Sequence, residues 1–219
     1  MNICFLTKKE KPGVEEAINI IEKITLNIDV YDGSLSNSFP SAIIEKQYDL
    51  LISYISPWII PKAVLEKTKR WNINFHPGPP EYPGTGCFNF AIYDSATDYG
   101  ATAHIMDPSV DTGKIIGVER FPMMQKETVE SLSLKTYSAL LTLYRNIMDH
   151  IINCDYLPNC SETWKRIPFK RSELEELATI KPDMTEEEIN NKIRATYYPG
   201  KPAPYIEVHG HKFEYNPDR

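Results

Sequence analysis

The stretch DLLISYISPWIIPKAVLEKTKRWNINFHP, residues 49–77, decides the fold. Asp49 to Ile55 is an apolar run rich in Leu, Ile and Tyr, the composition of a buried strand. Pro61 suits the first turn of a helix, which then runs through Thr68, and Trp71 to Phe75 is a second strand. Strand, helix and strand in so short a length predict a parallel βαβ unit. Toward the N-terminus, Ile3 to Leu6 and Leu26 to Tyr31 read as strands. Between them Val14, Ala17, Ile18, Ile21 and Ile24 recur at spacings of three and four, an amphipathic helix that Pro12 and Gly13 introduce. Right-handed crossovers turn this rhythm into an α/β fold, a Rossmann-like, mostly parallel sheet flanked by helices.

Beyond the stretch, residues 77–86 hold four prolines and three glycines, so they form a stiff, shaped loop rather than helix or inner strand. A helix is expected from Cys87 to Asp94, strands at Ala101 to Met106 and Lys114 to Arg120, and a long helix from Glu127 to Asn153. The apolar face of that helix comprises Val129, Leu132, Leu140, Tyr144, Ile147 and Ile151. Past about Asp155 short polar segments take over. Residues 1–155 are thus read as the Rossmann-like domain and 156–219 as a small extension. The extension carries a helix over Thr185 to Ala195, with Thr185 and Glu188 as a capping box, and a turn at Tyr197-Tyr198-Pro199-Gly200. A β-hairpin from Tyr205 to Tyr215 follows, centred on His209-Gly210-His211.

Composition narrows the function classes. The chain has 219 residues, 42% hydrophobic and 25% charged, as a globular protein should. Its net charge of −6 argues against binding nucleic acid through bulk phosphate attraction, and the extension is no basic arm: from Glu162 onward 10 Lys and Arg face 11 Asp and Glu. No apolar run approaches the ~18 residues of a membrane span. Met1 to Leu6 lacks a basic lead-in and reads as a strand, not a signal peptide. Cys4, Cys87, Cys154 and Cys160 are scattered without the spacing of a zinc site, so free thiols, a cytoplasmic location and no metal are expected.

Two segments carry polar groups suited to chemistry. In Asn74-Phe75-His76-Pro77, at the carboxyl end of a strand, alternation puts Asn74 and His76 on one side. An amide offers N–H donors to a developing oxyanion, and an imidazole moves protons near neutral pH. Taken alone, the same pair also suits a histidine satisfied at a strand end. The second segment, Asp107-Pro108-Ser109-Val110-Asp111-Thr112-Gly113, joins two strands, and Asp111 there is placed to orient the imidazole; an ordinary Asp-rich turn is the other reading.

Together, N-x-H-P, the Pro/Gly-rich loop and D-x-x-x-D-x-G about 35 residues after the His resemble the N10-formyltetrahydrofolate-dependent formyltransferases, most of all the sugar N-formyltransferases. The resemblance covers roughly residues 1–150. It implies that Asn74, His76 and Asp111 are catalytic. Ser53 to Leu65 resembles the folate-pocket wall, so Trp58, Ile59, Ile60, Asp107 and Val110 are implied as the site of N10-formyltetrahydrofolate, the formyl donor. Residues 81–90 depart from the R-G-x-x-P-x-x-W that often follows in the methionyl-tRNA branch. The stretch Asn191 to Ile206 resembles the region after the catalytic domain of sugar N-formyltransferases, which implies a nucleotide-linked amino deoxysugar acceptor, for example dTDP-4-amino-4,6-dideoxyglucose, and a product for surface glycan synthesis. Lys8, Lys9 and Arg194 are then candidates for the pyrophosphate, and Tyr197 and Tyr198 for stacking on base or sugar. The resemblance is compatible with a homodimer. Glycinamide ribonucleotide or methionyl-tRNA as acceptor, or a folate-binding module without turnover, are the alternatives.

Overall fold

A computed structural model describes residues 1–8 and 10–218. Its main sheet has six strands in the order β2-β1-β3-β4-β5-β6: β1 (Ile3–Lys8), β2 (Ile28–Gly33), β3 (Leu50–Tyr54), β4 (Trp71–His76), β5 (Asp98–Ile105) and β6 (Ile115–Pro122). The first four are parallel; β5 and β6 run antiparallel to their neighbours. The Rossmann-like expectation therefore holds, with an antiparallel margin. For the β5–β6 pair the reason is connection length, since that segment is too short to carry a crossover helix and parallel pairing needs a dozen or more residues; β4 and β5 are antiparallel although α4 lies between them.

Helices α1 (Val14–Glu22) and α5 (Val129–Cys154) cover one face, while α2 (Ala42–Glu45) and α3 (Lys62–Lys67) cover the other; α4 (Cys87–Tyr93) follows the Pro/Gly-rich loop. The larger core lies under α5. Phe5, Ile52, Tyr54, Ile73 and Phe75 meet Leu140, Tyr144, Ile147 and Met148, all essentially without solvent contact. On β4 this alternation leaves Asn74 and His76 on the opposite face. There Cys4, Leu6 and Leu51 pack with Ile43, Ile60, Val64 and Leu65. Helix α5 starts where Thr128 accepts from the Ser131 N–H and Ser131 reaches back, a reciprocal cap.

The extension contains α6 (Arg171–Ala178), a two-residue β7 (Thr179–Ile180), α7 (Glu186–Thr196) and the hairpin β8 (Tyr205–Val208) and β9 (His211–Glu214). The capping box at Thr185 and Glu188 is present as expected. Helices α2 and α6 and strand β7 are absent from the sequence reading, being too short for a clear period. Strand β5 begins at Asp98 rather than Ala101, and β2 ends at Gly33 rather than Tyr31. No helix among the described residues is long and apolar enough to cross a membrane.

Candidate active site

The strand order reverses between β1 and β3, and a cavity of about 480 Å³ opens beside the carboxyl ends of β1, β3 and β4, where such sheets bind ligands. Ile55 leaves β3 with φ of +57°, a costly backbone for a β-branched side chain, and it lines the cavity.

Asn74, His76 and Asp111 converge on one wall of this cavity. Asn74 arrives from β4, as does His76, and Asp111 from the β5–β6 connection, where its φ is +46°. Gly113, two residues on, is required because a Cβ there would lie 1.8 Å from the Ile105 carbonyl oxygen. That close approach folds the connection back over the sheet. Asp111 Oδ2 lies 3.2 Å from His76 Nδ1 and accepts from the Gly84 N–H at 2.7 Å. Its Oδ1 accepts from Asn74 Nδ2 at 3.3 Å. The far nitrogen of His76, Nε2, is 2.9 Å from the Tyr82 carbonyl oxygen. The Pro/Gly-rich loop thus grips both the imidazole and the carboxylate.

A fourth member escaped the sequence reading. His104, on β5 directly across from Asn74, places Nε2 3.2 Å from Asp111 Oδ1 and 3.0 Å from Asn74 Nδ2. His76, His104 and Asp111 are all buried. Burial works to raise the Asp111 pKa, but attraction to His76, the contact with His104 and the Gly84 N–H outweigh it. The carboxyl is held well below the usual carboxylate range. Trp164, from the extension, sets its ring edge-on to both imidazoles, 5.1 Å from His104 and 6.0 Å from His76, and donates its indole N–H to the Gly113 carbonyl at 2.8 Å. Burial pushes the Cys87 thiol, also on the cavity wall, up to about 12, so it stays protonated.

Trp58, Ile59, Ile60, Asp107 and Val110 line the same cavity. Trp58 lies flat against Gly33, where a Cβ would come within 2.2 Å of the indole, and donates its indole N–H to the Asn37 carbonyl. Ile60 is buried, while Ile59 and Val110 stand exposed at the rim. Apolar walls with a few polar groups fit a flat heteroaromatic ligand such as a pterin, and the volume is in the ordinary range for one. Lys8 also lines the cavity. Burial first, and then the charge of Lys201, lowers its pKa below the ordinary value, and Lys11 feels burial and both neighbours likewise.

Three expected substrate residues are not brought to this cavity. Arg194 donates to the Ile92, Gln125 and Asn191 oxygens, tying α7 to α4 and to the start of α5. Tyr198 packs with Ala91, Ile92 and Leu132, and Tyr197 sets its ring against Tyr215. Arg194 and Tyr198 dock the extension, as a long cation near unsatisfied helix carbonyls does, while Tyr197 packs within it. Lys9 lies outside the described residues.

A family model described as formyl transferase matches residues 34–145. Among curated proteins, a GDP-perosamine N-formyltransferase from Brucella melitensis biotype 1 is 27% identical over 167 residues, covering 74% of this chain and 62% of that one. The chain therefore spans less than two thirds of that relative. A 4-N formyltransferase structure from Francisella tularensis superposes with a TM-score of 0.76 at 21% identity, over 96% of this chain and 95% of that one. An N-formyltransferase from Helicobacter canadensis, in complex with folinic acid and dTDP-3-aminofucose, superposes with a TM-score of 0.72 at 20% identity, over 97% and 86%.

Proposed function

The chain belongs to the formyl transferase family, and on that premise we propose that it moves a formyl group from N10-formyltetrahydrofolate to the amino group of a nucleotide-linked amino deoxysugar. One observation carries the reading: Asn74 and His76 each place a polar atom within 3.3 Å of the Asp111 carboxylate, on the wall of a largely apolar cavity. Trp58, Ile60, Asp107 and Val110 would hold the folate, which supplies the electrophilic formyl carbon. Relatives named for GDP- and dTDP-linked amino sugars support the acceptor class. Lys8, Lys11 and Lys201, which act on one another by charge, suit the diphosphate of such an acceptor.

Asn74 donates an N–H to the formyl oxygen as negative charge gathers there. His76, beside it, contributes to the movement of the one proton that must leave the attacking amine and reach the departing folate nitrogen. Asp111 keeps the imidazole oriented and its charge compensated. The reading includes a homodimer in the cytoplasm and an N-formylated sugar nucleotide destined for surface glycans.

The test is transfer by the purified protein from N10-formyltetrahydrofolate to dTDP-4-amino-4,6-dideoxyglucose, a GDP-linked amino sugar, glycinamide ribonucleotide or methionyl-tRNA. Product is expected with an amino-sugar nucleotide. Product from either of the last two, with none from any amino sugar, would overturn the acceptor. His76→Ala should lower kcat by roughly 10²–10⁴-fold while leaving folate binding nearly unchanged; full activity in that variant would remove the site assignment.

A further inference from the structure

The two imidazoles that flank Asp111 are not in equivalent settings. His76 faces an acceptor at each ring nitrogen: the Asp111 carboxylate at Nδ1 and the Tyr82 carbonyl at Nε2. It makes both bonds only with both nitrogens protonated. His104 faces one obligate acceptor, the Ile105 carbonyl, 2.8 Å from Nδ1. Its other nitrogen, Nε2, faces both a donor, Asn74 Nδ2, and an acceptor, Asp111 Oδ1. A ring protonated at Nδ1 alone satisfies this set if an Asn74 N–H fills the space before Nε2 and Oδ1.

The geometry allows one N–H to serve both. Asn74 Nδ2, His104 Nε2 and Asp111 Oδ1 form a nearly equilateral triangle with sides of 3.0, 3.2 and 3.3 Å. The two acceptors subtend about 60° at the amide nitrogen, half the angle between the N–H bonds of a planar amide. One N–H directed between the two acceptors reaches both, and the second then stays outside the triangle on a residue that lines the cavity. Without Nε2 as acceptor, the amide would keep only its 3.3 Å bond to Asp111, too weak to decide which end of the group faces the cavity.

We infer that His104 is a positioning residue for the transfer step: neutral, with its proton on Nδ1, it locks the Asn74 amide so that one N–H is kept for the formyl oxygen. The inference rests on the formyl-transfer reading above. A proton on His104 Nε2 would face the shared Asn74 N–H and expel it. The titratable groups around His104 are Asp111 at 3.2 Å, His76 across the same carboxylate, and Cys87, Asp107 and Lys8 on the cavity wall; Trp164 and Asn74 close the remaining sides without titrating.

His104→Phe and His104→Gln test it, each checked for folding by its thermal melt. Phe keeps bulk but offers no acceptor, and kcat should fall roughly 10- to 100-fold with KM for the folate donor within about twofold. Gln reaches a similar point with a non-titrating oxygen, so kcat should recover to within about fivefold of wild type. Nitrogen NMR of the imidazole rings should show His104 protonated at Nδ1 and bare at Nε2 in the active pH range. A Phe variant with kcat within about twofold of wild type overturns the inference, as does a Gln variant no more active than the Phe variant. Should the Phe variant fail to fold, the Gln variant's kcat and the tautomer decide. If the wild-type protein formylates no acceptor, the functional reading fails, and the NMR tautomer still decides whether His104 orients Asn74.

Discussion

Two parts of the extension, alike in sequence texture, relate to the site in opposite ways. The segment from Trp164 to Phe169 is woven into it. Lys165 donates its backbone N–H to the Pro80 carbonyl, and Phe169 exchanges backbone bonds with Pro83 and Thr85. Phe169 also stacks on Phe90 at 3.6 Å, and Trp164 backs both imidazoles. The hairpin β8–β9 is different: all four residues of β9 are exposed, and Phe213 and Val208 stand in solvent. What separates the two is where their backbone bonds go. The first segment pairs with the loop that holds Asp111 and His76, while β9 pairs only with β8. A segment outside the sheet thus completes the site when it pins the site's loop, and the boundary near Asp155 marks a change of texture, not of mechanism.

The largest test of this contrast is Asp111→Asn, at the point where the Pro/Gly-rich loop and the two histidines meet. Removing one partner of a buried charge pair costs about 3–5 kcal/mol, and formyl transfer should drop about 10³-fold. The pH dependence has a definite sign. The native pKa of Asp111 is depressed, so its contribution is fully present above the unfolded value of about 4 and is lost as pH falls below it toward the native value. The Asn variant should melt lower at neutral pH and lose stability less steeply on acidification below about pH 4. Urea titrations across that range measure both; parallel acid slopes would mean the carboxylate is not held by its partners.

Trp164→Ala is the intermediate case. The indole is partly exposed, so the loss should be about 2 kcal/mol, below the value for a fully buried aromatic. Because the ring borders His76 and His104, kcat should fall roughly tenfold with donor KM little changed. Trp164→Phe should restore most of the stability, since it keeps the edge-on packing and loses only the indole bond to Gly113. Stability lost with kcat intact would show that the segment fastens the extension without shaping the site.

Much of this molecule is readable in its sequence, and what escapes does so for a physical reason. Helices α1 and α5 announce themselves because each buries one periodic face, and β1 and β3 because burial on both faces makes them continuous apolar runs. Asn74 and His76 are two residues apart, so strand alternation alone unites them. His104 is equally central but is joined to Asn74 only through the antiparallel register of β4 and β5. No local pattern in Ala101-Thr102-Ala103-His104-Ile105 states that register. The shortness of the β5–β6 connection did carry a usable signal, since it excludes a parallel crossover. Trp164 is further out of reach: its partners His76, His104 and Gly113 are at least fifty residues away, and the polar stretch around it has no period. Arg194 and Tyr198 show the converse, residues with ligand-binding chemistry that the fold spends on docking a helix.

The smallest expected effect belongs to the hairpin. Phe213 is 59% exposed and Val208 42%, so replacing both by Ser removes little buried apolar area. Stability should stay within about 0.5 kcal/mol of wild type, as for other surface sites, and kcat within about twofold. Measured beside Trp164→Ala, this double variant isolates what matters, because both changes delete aromatic surface from the same extension and only one touches the residues around Asp111. A loss of kcat as large as that of Trp164→Ala would break the contrast. Since β9 pairs only with β8 among the described residues, the hairpin would then be acting on the site of a second copy, and sedimentation of the variant would show the assembly lost along with the activity.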